Sequence, residues 1–163
     1  MFDSTRLETR PKLMTIGYEG TEISDFISTL KAAGVRSLVD VRELPLSRKK
    51  GFSKRALCEA VEDAGMSYIH VRQLGDPKPG RDAARSGNMR MFRVIFGEHM
   101  KRVETCEALQ DLMPIVADGG ACLLCFERCH SGCHRSILAE ELRKMMQIDI
   151  LHIHVVHGIE QGN

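Results

Sequence analysis

The chain has 163 residues, 43% of them apolar and 28% charged, with a formal net charge of +1 and six cysteines. That length suits one domain burying about two-thirds of its surface, and the near-neutral balance excludes a globally basic nucleic-acid coat, leaving only a local patch for such binding. No apolar run is long enough to span a membrane and no signal-peptide core follows Met1. The expectation is a cytoplasmic protein without membrane attachment, its cysteines reduced thiols or metal ligands rather than a disulfide framework.

In chain order, residues 1–12 are polar and read as an N-terminal arm, and residues 13–163 as a single domain. Residues 13–17 form the first expected strand, running into a turn at Tyr18, Glu19 and Gly20. Ile23, Phe26, Ile27 and Leu30 have helical spacing, and Gly34 stops that helix. A second strand covers 37–42 and is broken by Pro45; residues 47–55 then hold five basic side chains around Phe52. A helix over 53–64 follows, with Ser53 as its cap, Leu57 and Val61 on its apolar side and Gly65 as its end. Residues 67–71 make a third strand. The glycines, prolines and scattered charges of 73–88 read as a long surface loop. Met91, Phe92, Ile95, Phe96, Met100, Val103 and Leu109 predict one helix over 90–113. The apolar run 121–126 is a strand buried on both faces, and Ile137, Leu138, Leu142 and Met145 place a helix over 136–147. Residues 151–156 are a fifth strand in which His152 and His154 alternate with apolar residues, as on a half-exposed edge. Strands alternating with helices imply a single three-layer α/β domain, with a central, mostly parallel sheet of about five strands flanked by helices.

Parallel strands share one carboxyl rim, so the residues just past each strand meet there. These are Tyr18 and Glu19, Asp40 and Arg42, His70 and Arg72, and then 127–135. The last segment enters a helix whose unpaired N–H groups suit an anion.

The motifs Thr15-Ile16-Gly17-Tyr18-Glu19-Gly20, Asp40-Val41-Arg42 with Pro45 and Ser47, Phe52, Tyr68-Ile69-His70 with Leu74-Gly75, and Leu123 to Glu127 followed by Cys133-His134-Arg135 occur in order. Together they resemble the DUF488 family, a domain of unknown function, over roughly residues 13–145. The resemblance implies an α/β domain with a site at Cys133-His134-Arg135 and leaves the reaction open. Phe126 stands where the family has a small residue. Arg128 to Gly132 replaces an acidic or proline-containing linker, so Cys129 and His130 inherit no family role.

Cys129, five residues, Arg135 and Ser136 also resemble the phosphate loop of cysteine-dependent phosphatases, although Arg128 stands where such loops carry histidine. The stronger core is Cys133 as a thiolate, with His134, Glu127 and Asp40 moving protons. Arg135, Arg42, His70 and Tyr18 would hold the anion of the substrate. The plainer alternative makes Cys133 a small buried residue and Arg135 a structural partner of Asp40 or Glu127. Likewise, Asp40 and Arg42 on one strand face could simply brace each other. Were a metal bound, zinc or iron would sit on Cys129, Cys133, His130 and His134. The basic run 48–55 could read phosphates, with Phe52 stacking on a base. The expected function is a thiol- or acid/base-dependent enzyme on a phosphate-bearing small molecule, nucleotide or nucleic-acid end. A non-catalytic nucleic-acid module and a metal-binding protein are the alternatives.

Overall fold

Residues 9–158 are described by a computed structural model, in which five strands form one all-parallel sheet in the order β3-β2-β4-β1-β5. In chain order these are β1 (Lys12–Gly17), β2 (Ser37–Asp40), β3 (Ser67–His70), β4 (Ala121–Cys125) and β5 (Asp149–His152). The two-residue period of a strand sends alternate side chains to opposite faces. Met14, Ile16, Leu38, Cys122 and Leu124 meet Phe26 and Leu30 of α1 (Ile23–Ala32) and Leu57 and Val61 of α2 (Lys54–Asp63). On the other face, Leu13, Val39 and Leu123 meet Phe92 and Phe96 of α4 (Met89–Met100), Leu112 of α5 (Val103–Ala117), and Leu138 and Leu142 of α6 (His134–Met145). The result is the expected three-layer α/β domain.

The strand order explains where a ligand can sit. From β1 to β3 the chain steps toward one edge with its helices on one face; from β3 to β5 it steps back with its helices on the other. Right-handed crossovers impose that switch. The loops leaving β1 and β2 therefore diverge from the loop leaving the intervening β4, and a crevice opens between them at the carboxyl rim.

Several element boundaries differ from the sequence expectation. The first eight residues of the arm lie outside the described residues, and Lys12, counted with the arm, opens β1. Residues 73–88 are not a structureless loop: a 3-10 turn (Arg72–Leu74) leads into α3 (Lys78–Arg85). Pro79 sits in the first turn of α3, where its fixed φ suits helix entry, and Gly80 packs against the Asp76 carboxyl. The helix predicted over 90–113 is two, because Arg102 turns extended (ψ 143°) between them. No glycine or proline marks that break, so the apolar period runs through it. The second helix then continues past Pro114, which deprives only one carbonyl of its donor near the helix end. Ser53 does cap α2 by position, but its hydroxyl bonds Ser47 instead of the helix. The last strand ends at His152, so His154 lies beyond it; among the described residues β5 pairs with β1 alone and is an edge strand.

Candidate functional site

The floor of the rim is organised by a buried cation. Arg135, in the first turn of α6, is fully buried and faces back across the end of the sheet. Its Nε donates to Thr15 Oγ1 (3.2 Å), Nη1 to Cys125 Sγ (2.8 Å) and to the Glu127 carbonyl, and Nη2 to the Arg128 carbonyl (3.2 Å). Gly17 lets this happen, since any Cβ there would strike the Glu127 carbonyl. Burial lowers the Arg135 pKa below its ordinary value. The expectation that Arg135 clamps a substrate anion therefore meets a guanidinium already spent on Thr15, Cys125 and the loop backbone, and the phosphatase-like reading of residues 129–136 loses its free fork.

A second buried assembly stands beside it at the end of β2. Asp40 accepts from Arg42 Nε (2.8 Å), Nη2 (2.7 Å) and backbone N (3.1 Å), and from the Tyr68 hydroxyl. Arg42 also donates to the Phe52 carbonyl (2.6 Å) and to Tyr18 Oη (3.3 Å). Burial alone would weaken the Arg42 charge, but the hydrogen bonds and charge of Asp40 carry its pKa above the ordinary value. For Tyr68, burial and then Asp40 push the phenol up. Asp40 and Arg42 thus brace each other, leaving Asp40 no open face for proton transfer. His70 bonds the Arg42 carbonyl through Nε2 (2.8 Å) and supports the bracket from the side.

Above these assemblies lies a cavity of about 700 Å³. Tyr18, Arg42, Glu127 and His134 reach its wall as the strand-end argument expects, together with Cys125 and Gly132. Residues the sequence reading passed over supply the opposite side: Glu43, Asp76, Arg81 and Arg85, from the loop after β2 and from the α3 region taken for a loop. Asp76 is buried, and its Oδ1 has no hydrogen-bond partner among the described residues. Burial pushes its pKa up to about 7, with Arg81 pulling it down and Glu127 and Glu43 adding repulsion. Glu127 is likewise raised by burial. Most cations here are matched: Arg81 pairs with Glu43 (3.2 Å), and Lys78 with Asp82 (2.9 Å). Arg48 and Arg85 line the cavity without an ion pair to any described residue. Leu44, Leu46 and Phe126, all exposed, complete an apolar side.

The basic run behaves differently from the expectation. Phe52 is fully buried, stacked on Tyr18 (centroids 4.4 Å apart) and edge-on to Phe26, so it cannot serve as a platform for a base. Lys49 pairs with Glu22 and Arg55 with Glu59, and of the basic side chains in this run Arg48 reaches the cavity.

Two of the thiols converge beneath the cleft. Cys125, at the end of β4, and Cys133, at the N-cap of α6, bring their sulfurs together, while their Cα atoms stand 7.6 Å apart, wider than a disulfide ordinarily spans. His134 bonds the Val41 carbonyl through Nε2 (2.7 Å), which assigns its proton to that nitrogen and turns the Nδ1 lone pair toward Cys133 Sγ, 3.6 Å away. Burial lowers the His134 pKa to about 4. Cys129 is exposed, and its hydrogen bond with Ser131 (2.9 Å) lowers its pKa. Burial raises that of Cys122, which points to the opposite face of the sheet. The metal set expected from the sequence does not assemble, because Cys129 turns to Ser131 and His130 stacks on His152 (3.7 Å).

Fold and rim together define a three-layer α/β domain with a polar cleft at the topological switch. More specifically, the chain belongs to the DUF488 family: the model of that domain of unknown function matches residues 22–142, from the turn before α1 into α6. No curated protein and no solved structure matches the chain. Among the described residues, no helix is long and apolar enough to cross a membrane.

Proposed function

We propose that this protein binds a phosphate-bearing ligand, a nucleotide or a nucleic-acid end, in the rim cleft and acts on it by acid/base chemistry. The observation that carries the reading is Arg48 and Arg85, two guanidinium groups lining one cavity without an ion pair to any described residue. Guanidinium forks match phosphate oxygens. Leu44, Leu46 and Phe126 offer the apolar wall that a base would cover. Asp76, with a pKa of about 7, is tuned to give and take a proton near neutrality. Arg42 and Tyr18 shape the wall, His134 closes the floor, and Asp40, His70 and Arg135 hold the rim in position.

The test is calorimetric titration of the purified protein with inorganic phosphate, nucleoside mono- and diphosphates and a 5′-phosphorylated dinucleotide, at low and high salt. Saturable binding that weakens with salt is expected, and Arg48→Ala or Arg85→Ala should each weaken it about tenfold or more. If no member of the panel binds, or the double variant binds like the wild type, the reading fails.

A further inference from the structure

We propose that Cys125, Cys133 and Glu127 form a site for a thiophilic divalent cation of the zinc class, available when the two thiols are reduced and closed when they are joined. Among the described residues these three bring one ligand atom each to within 4.8 Å of one another. They belong to one strand–loop–helix segment: the last residue of β4, the loop just after it, and the N-cap of α6. The convergence is thus made by the β4–α6 loop folding back on itself.

The donor chemistry is selective. Two thiolates favour zinc, ferrous iron or cobalt over magnesium or calcium, and zinc accepts a carboxylate beside them. Three protein ligands leave a fourth tetrahedral position, the arrangement of catalytic rather than structural zinc. Cys125 and Glu127 both line the rim cavity, so that position opens into it. The surroundings supply the outer shell. Arg135 Nη1 donates to Cys125 Sγ at 2.8 Å, the kind of bond that orients a ligating thiolate. Glu127 forms no ion pair with a described residue.

Charge sets the two states of this proposal apart. Two thiolates and a carboxylate set against one guanidinium would leave two uncompensated negative charges at a buried floor, which is costly. A divalent cation neutralises them; so does joining the sulfurs. Joining removes two electrons and two protons from the dithiol. A small-molecule disulfide takes them up by exchange, one of its sulfurs leaving as thiol in each of two steps, and a dithiol reductant reverses the reaction. The oxidised pair has no thiolate to offer, so metal uptake is gated by redox state.

This inference stands apart from the phosphate reading and is tested without any phosphate ligand. Protein freed of metal by a chelator, reduced with a dithiol and exchanged into anaerobic buffer, is titrated with Co²⁺ and then Zn²⁺. The expected result is one equivalent of cobalt with thiolate-to-cobalt charge-transfer absorption, displaced by zinc, and no such signal after oxidation with a small-molecule disulfide. Cys125→Ser and Cys133→Ser should each weaken binding at least about a hundredfold, and Glu127→Gln at least about tenfold. Cys129→Ser and His130→Ala should bind like the wild type. Should a cysteine variant fail to fold, alkylation mapping of the wild type decides instead: zinc should protect Cys125 and Cys133 but not Cys129. Absence of cobalt uptake by the reduced wild type, or a signal lost with Cys129→Ser and kept with Cys133→Ser, overturns the proposal.

Discussion

Arg135 carries its charge at a fully buried position with no carboxylate within ion-pair range among the described residues. A hydroxyl, a sulfur and two carbonyls take the place of water around it. A buried cation tolerates that arrangement only while its partners stay in place. Lysine offers donors from a single point and cannot span Thr15 on one strand and Arg128 in the loop. Arg135→Lys should therefore cost about 2–4 kcal/mol in urea unfolding; stability equal to the wild type would mean that the network does not hold the loop. The Cys-His-Arg motif makes this position conspicuous in the sequence. Whether its fork points outward to a ligand or inward to the sheet end is not written there, because both directions use the same helix-start position.

The β4–α6 loop is the element on which the site depends, and its path is set by what crosses it. Gly17 is a strand residue chosen for closeness: the Glu127 carbonyl occupies the space where a side chain would begin. Gly75 does the same for the backbone of Glu43 on the far wall. Gly17→Ala must push the loop off β1, at a cost of about 1–3 kcal/mol. In the reduced protein, Cys125 and Cys133 should then alkylate faster than in the wild type, as read by mass spectrometry. Unchanged protection would show that the loop holds its place by other contacts. Gly17 is visible in the sequence as part of a glycine-bearing turn. The contact that demands it joins residues more than a hundred positions apart, so only the β1–β4 pairing reveals it.

At the scale of the whole molecule, Asp76 couples the site to global stability. Its carboxyl has an ordinary value of 3.8 and about 7 in the folded state. Between those values the native protein keeps a proton that the unfolded chain has released. The contribution of Asp76 to stability is therefore greatest below the ordinary value, falls as pH rises toward 7, and levels off above it. Asp76→Asn resembles the protonated form and escapes the loss. Its melting temperature relative to the wild type should rise between about pH 4 and pH 7 and then stay level. A difference that does not change with pH would show that the carboxyl titrates normally.

The sequence by itself determined the fold class, because apolar period and turn residues act locally: two-residue alternation, helical spacing and glycine stops describe each element before it meets another. It also brought the right rim into view, since parallel strands end on one side. What only the tertiary structure decided is which rim residues face one another. The α3 segment, hidden by its glycines and prolines, delivers Asp76, Arg81 and Arg85 to the cleft. Arg135 and Asp40 turn inward because the sheet end offers them the partners that water would otherwise supply, and Phe52 because Tyr18 and Phe26 take its ring out of water. Those choices are made by contacts between distant segments, and a linear pattern holds no record of them.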